Sequence, residues 1–179
     1  MFGITRHVVL RELERKYVPM EDVPADIESN SDVDPLDAMI SRFDAHRWMV
    51  LVAEYVGASD WHVMSDLSLS DGDAERVATA HQLSKRGLRT VRDRVCQTAQ
   101  TVLAALAAAD AGLPVTGSMI VSCVPETGGF REVAEMIDCD TNTIAATLHI
   151  HPGSARARTA TAKRLLMIAR AVLEQEVAA

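Results

Sequence analysis

A chain of 179 residues with 48% hydrophobic and 24% charged side chains has the balance of a globular protein, enough for one medium domain or two small ones. Its formal charge of -7 excludes a molecule that coats nucleic acid indiscriminately, although local basic surfaces remain open to it. The three cysteines, Cys96, Cys123 and Cys139, are odd in number and form no CxxC pair, which argues against a disulfide framework or a zinc knuckle.

Abundant alanine, scarce aromatics and the lack of alternating β-branched runs predict an all-α fold. His7 to Tyr17 carries Val8, Val9, Leu10 and Leu13 among charged residues and reads as a short helix ending before Pro19. Val18 to Pro35 is a linker rich in acids, with three prolines, too polar to bury much surface. Asp34-Pro35 then opens a helix with Leu36, Met39, Ile40, Phe43, Trp48, Leu51, Val52 and Tyr55 at helical spacing, and Gly57 ends it. Asp60 to Leu69 is a second amphipathic piece, and Ser70-Asp71-Gly72-Asp73 is a turn that offers caps to a helix beginning near Ala74. A long alanine-rich helix ends near Ala109, followed by Gly112, Pro114 and Gly117. Met119 to Val124 fits a strand and a buried helical turn equally well by length. Pro125 to Gly129 is a loop, and Arg131–Ile137, Thr143–Leu148 and Ala155–Val177 are three more helices. The expected division is 1–35 as N-terminal helix and acidic linker, 36–110 as a first domain and 111–179 as a second, joined by a short irregular segment.

Two stretches, Val77–Leu106 and Ile144–Leu173, pair without a gap and both read as helix–turn–helix units. Where the two helices of such a unit cross, the first needs an apolar residue followed by a small one; Val77-Ala78 and Ile144-Ala145 supply them. The turn needs an apolar plug and the second helix an apolar residue facing back, met by Leu83 with Leu88 and by Ile150 with Ala155. Ser84 or His151 can cap the second helix, whose exposed amides favour a phosphate. Beyond the cap, Lys85, Arg86 and Arg89, with Arg92 on the backbone, are the DNA-contacting candidates of the first unit. Ser154, Arg156 and Arg158, with Lys163 and Arg164 further along, are those of the second. The competing reading is that these are solvated faces of a helical bundle.

The run LHIHPGSARARTATAKRLL resembles the −35-reading domain of bacterial sigma-70 family factors, region 4, in which a turn of the type Leu-Gly-Ile-Ser-x-Gly precedes a Val-x-Ser-Arg-x-x-x-Ala-Arg helix. Leu148, Ile150, Gly153, Arg158, Ala162 and Lys163 fall on that pattern, and Arg131-Glu132-Val133 is similar to the start of the preceding helix. HVVLRELERKYVPMEDVP resembles the end of the core-binding sigma domain with its acidic linker, LDAMISRFDAHRWMVLVAEYV the helix leading into the −35 domain, and SDGDAERVATAHQLSKRGLRTVRDRV that domain itself. The family usually has Gly where this chain has Gln82 and His149, and Val where it has Ala155. No counterpart of the core-binding, −10-melting domain precedes the linker, so a self-sufficient sigma factor is not expected.

The resemblance implies a DNA-binding transcription regulator that works at promoters with bacterial RNA polymerase. The alternative is a protein-interaction module that binds the polymerase or a sigma factor with little direct DNA contact. No cofactor is expected: His149, His151 and Cys139 do not have metal-ligand spacing, and Gly128-Gly129 lacks the lysine and context of a phosphate loop. The acid pairs Asp71/Asp73 and Glu132/Glu135 have no histidine or nucleophile beside them, so no enzyme is expected. Met1 to Pro19 lacks the apolar run of a signal peptide and no stretch is long enough to span a bilayer, which gives a cytoplasmic expectation.

Overall fold

The structure, a computed structural model, describes residues 35 to 178, with side chains from Asp44 onward. The helix expected at His7–Tyr17, most of the acidic linker and the side chain of Phe43 lie outside the described residues. All regular structure among the described residues is helical. In chain order the helices are α1 (Pro35–Val56), α2 (Ala58–Leu69), α3 (Ala74–Ala80), α4 (Lys85–Asp110), α5 (Gly117–Ser122), α6 (Phe130–Glu135), α7 (Thr141–Thr147) and α8 (Pro152–Val177), with a 3-10 turn at Thr127–Gly129 before α6.

Two compact units form. The first takes the described residues up to Ala53 together with Gly57–Cys96; the second takes Glu54–Val56 and Gln97 onward. The helix α4 therefore passes from one unit into the other between Cys96 and Gln97, rather than belonging wholly to the first.

The first unit starts from punctuation that the backbone requires. Gly57, at φ +88, separates α1 from α2 in a conformation that an L side chain resists. Buried residues of α1 include Trp48, Leu51 and Val52; those of α2 are Val63, Met64 and Leu67, spaced to make one apolar stripe. Trp61 is half-buried. Asp60, in the first turn of α2, places its carboxylate 2.9 Å from Arg94 Nη1 on α4, with its side chain only 12% exposed. Among the described residues no conventional hydrogen bond reaches Asp60 Oδ2, so this ion pair carries the compensation for its burial.

In the second unit, small residues let helices approach closely. Ala99 and Ala105 on α4, and Ala155, Ala162 and Ala169 on α8, are all but fully buried, interleaved with Val102, Leu165, Val172 and Leu173. The end of α4 is closed by Gly112 at φ +64, with Leu113 N donating to Ala108 O at 3.1 Å, a Schellman-type bond that uses a terminal carbonyl. Met119–Val124, open between strand and helical turn in sequence terms, holds the short helix α5, and Cys123 and Val124 become buried just after it. Arg131 then clamps the following loop: its Nε donates to Val124 O and its Nη2 to Ser122 O, both at 2.9 Å, while Nη1 meets Glu126. Burial pushes the Cys123 thiol up, with the Ser122 hydroxyl and Arg131 pulling against it.

Candidate nucleic-acid interface

The same local construction occurs twice, once in each unit. Asp73 caps α3 by accepting from Arg76 N at 3.0 Å, and Asp140 caps α7 by accepting from the amides of Asn142 and Thr143. Both short helices end in a tight turn: Leu83 N donates to Ala78 O at 2.8 Å, and Ile150 N donates to Ala145 O at 3.0 Å. Between them, Gln82 at φ +54 and His149 at φ +51 are both left-handed. The long helix then begins under a side-chain cap in each case. Ser84 Oγ accepts from Gly87 N and His151 Nδ1 accepts from Gly153 N, each at 3.0 Å. Pro152, at the start of α8, occupies a position where its missing N–H costs nothing.

Burial follows the same register. Val77 and Ile144, Ala78 and Ala145, Leu88 and Ala155, Val95 and Ala162, Val102 and Ala169, and Leu106 and Leu173 are buried pair by pair. Leu83 and Ile150, the turn plugs, are both half-buried. A left-handed side chain costs about 1–2 kcal/mol relative to a permissive residue. Gln82→Gly and His149→Gly are therefore each expected to raise stability by up to about 1 kcal/mol once the extra chain entropy of glycine is subtracted. Urea unfolding of each variant against the parent measures this; a loss in both would contradict the left-handed assignment.

Hydrogen bonds hold the Asp140 carboxyl below the usual carboxylate range, the Thr143 hydroxyl first, then the Thr143 and Asn142 amides. A depressed pKa contributes stability that is complete above the unfolded-state value near 4 and is lost as pH falls through the folded value. Asp140→Asn keeps a cap but removes the titration. Acid unfolding of the second unit should then lose the part of its pH dependence below about pH 4 that Asp140 supplies, read by circular dichroism; identical acid profiles would count against this cap.

The basic residues divide into outward and inward sets. Lys85, Arg86 and Arg89 are exposed on the first turns of α4, next to the capping Ser84, and Arg92 is half-buried. Ser154, Arg156 and Lys163 are exposed on α8. Arg164, by contrast, turns inward: Nη1 donates to the fully buried Thr98 Oγ1 at 2.9 Å and Nη2 reaches Gln97 Oε1 at 3.4 Å, tying α8 to α4 within the second unit. Arg158 is half-buried, and a β-carbon at Gly129 would fall 2.9 Å from its Nη1, so the guanidinium lies directly over that glycine. Gly129 is thus required both for its φ of +69 and for the space it leaves. Arg164→Ala should accordingly destabilise the second unit by about 1–3 kcal/mol, since it removes hydrogen bonds from a charged donor to the buried Thr98 and to Gln97; denaturant unfolding is the check.

Sequence reasoning did not find a groove in the first unit. It encloses about 530 Å³ and has an apolar floor of Met64, Leu67, Leu88 and Val95. Lys85, Arg89 and Arg92 line its α4 wall, and Asp73 and Glu75 line the α3 wall. Period-3.6 spacing of 85, 88, 89 and 92 was the available signal, because it puts these residues on one helix face.

Among the described residues, no group of three His, Cys, Asp or Glu side chains is placed to hold a metal ion, and no helix is long and apolar enough to cross a membrane. Family models, curated proteins and solved structures contain no match to this chain.

Proposed function

We propose that the protein is a DNA-binding transcription regulator built on two sigma-region-4-like helix–turn–helix units, acting at promoters with bacterial RNA polymerase. The observation that carries the reading is the repeated turn with a capped long helix behind it, combined with three exposed cations on the first turns of α4. In such a unit the second helix enters the major groove by its N-terminal end, where amides, the positive end of the helix dipole and arginines all attract phosphate or base edges. Lys85, Arg86 and Arg89 stand at that end, and Ser84 already fixes the cap.

The two units differ in what they offer. At the positions of Lys85 and Arg86 the second copy has Pro152 and Gly153, Arg158 rests on Gly129, and Arg164 is engaged inside the unit. That leaves Arg156 as its exposed counterpart to Arg89, with Ser154 and Lys163 to either side. DNA reading is therefore assigned first to α4. Contact with polymerase or a sigma factor, the second reading, is assigned to the second unit, where fewer cations are exposed to DNA.

Fluorescence anisotropy with promoter duplex at two salt concentrations tests the assignment. Binding that weakens steeply with salt supports it, because each neutralised phosphate contributes about −0.9 to the slope of log K against log salt. Absence of duplex binding at low salt, together with retention of the chain on immobilised polymerase, would favour the protein-interaction reading instead.

A further inference from the structure

The groove of the first unit combines features that single out one chemistry of ligand. Its floor is aliphatic and thioether, and its α4 wall carries Lys85, Arg89 and Arg92 at helical spacing, against two carboxylates on the opposite wall, one of them, Asp73, occupied in capping α3. Arg86, one position round the helix, adds an exposed cation beside the rim. A peptide that alternates acids with aliphatic side chains fits such a surface: carboxylates pair with Lys85 and Arg89 while the aliphatic groups cover the floor.

The chain contains such a peptide. From Val18 to Ser41 there are seven acids, Glu21, Asp22, Asp26, Glu28, Asp32, Asp34 and Asp37, and no lysine or arginine, with Met20, Val23, Ile27 and Val33 interspersed. The described residues begin at Pro35, on α1 of this same unit. Fourteen residues, Glu21–Asp34, reach up to roughly 45 Å when extended. A unit of this size has a radius of gyration of only about 11 Å, so every point of its surface is within range. Tethering also raises the local concentration of the segment to the millimolar range, so modest pairing suffices for occupancy.

We propose that Glu21–Asp34 docks in the groove formed by α2, α3 and α4 and competes with nucleic acid for Lys85 and Arg89. The competition rests on the DNA-binding role proposed above; the docking does not. Docking is therefore tested first without DNA, in the full-length chain. Lysine occurs only at positions 16, 85 and 163, so zero-length carbodiimide cross-links can be assigned by peptide mass mapping. The expected product joins Lys85 to a carboxylate within 21–34 in the monomer band. Links from Lys85 to Asp73 or Glu75 alone, or links that form only between two chains, would overturn the proposal.

Alkylation gives a second readout. Cys96 lines the groove, Cys139 is exposed and Cys123 is buried, so Cys139 serves as internal reference. Neutralising the segment by Glu21→Gln, Asp22→Asn, Asp26→Asn and Glu28→Gln is expected to speed iodoacetamide labelling of Cys96 at least about threefold relative to Cys139. Equal rates would overturn docking. The same variant should bind duplex DNA at least about tenfold more tightly than the parent at low salt. If labelling and cross-linking succeed while neither protein binds DNA, docking stands and the DNA assignment falls. If both proteins bind DNA alike and label alike, the DNA assignment stands and docking falls.

Discussion

Replacing Lys85, Arg86 and Arg89 together by alanine is expected to weaken binding to promoter duplex by at least about 100-fold near physiological salt and to flatten the salt slope by about 2 to 3. The three side chains are exposed on consecutive turns at the amino end of α4, and none of them forms an ion pair with the described residues. Under the proposed DNA-binding role their removal takes away phosphate and base contacts, and it does not open the core, since the buried face of α4 runs through Leu88, Val91 and Val95. Arg156→Ala removes one exposed cation from the second copy and should cost no more than about tenfold. Arg158→Ala and Arg164→Ala should leave affinity nearly unchanged while lowering stability, because one guanidinium is spread over Gly129 and the other is hydrogen-bonded to Thr98. Anisotropy titrations over a salt series separate these cases. A triple variant that binds like the parent would remove α4 from the interface.

The largest effect on stability is expected from Leu165→Ala. Leu165 is fully buried in the middle of α8. Its neighbours along the buried face are Ala162 and Ala169, too small to collapse into the space left behind. Truncation should therefore cost about 2–5 kcal/mol, a large part of the 5–15 kcal/mol that holds a typical domain together. Urea unfolding followed by far-ultraviolet circular dichroism should show a lower midpoint for the transition that contains α8, with the transition of the first unit little changed. A loss below about 1 kcal/mol would mean that α8 is not packed as described.

Much of the helical layout is legible in the amino-acid sequence because helix ends are written in residues with one physical use. Pro35, Gly57, Asp73 and Gly112 mark boundaries through a fixed φ, a left-handed φ or a capping carboxylate. The pairing of the two turns is legible for a similar reason: Leu83 and Ile150 each follow a left-handed residue and fall at the same distance from the buried Val77 and Ile144. Other features depend on local capping geometry that the apolar spacing leaves open. The start of α8 at Pro152, ahead of the expected Ala155, agrees with the His151 cap named from the sequence, whose ring accepts from Gly153 N. Met119–Val124 has no period that separates a strand from a helical turn, and Thr116 Oγ1 capping Met119 N tips it to a helix.

The basic cluster on α8 shows the limit most clearly. Arg156, Arg158, Lys163 and Arg164 look equivalent as a charge run, yet Arg164 finds Thr98, which lies far off in sequence, and Arg158 finds a glycine that leaves room for it. Direction in or out is decided by the partner, and the partner is tertiary. The groove beside α4 was hidden for the same reason, since its floor joins Met64 and Leu67 on α2 to Leu88 and Val95 on α4.

The proposed DNA contact lies at the amino end of α4, the helix that follows the first left-handed turn. Titrating isotopically labelled protein with a promoter duplex and following backbone amide shifts tests it residue by residue. The largest shifts are expected on Ser84 to Arg92, with a smaller set around Ser154 and Arg156. Shifts confined to other helices, or none at saturating duplex in low salt, would contradict it.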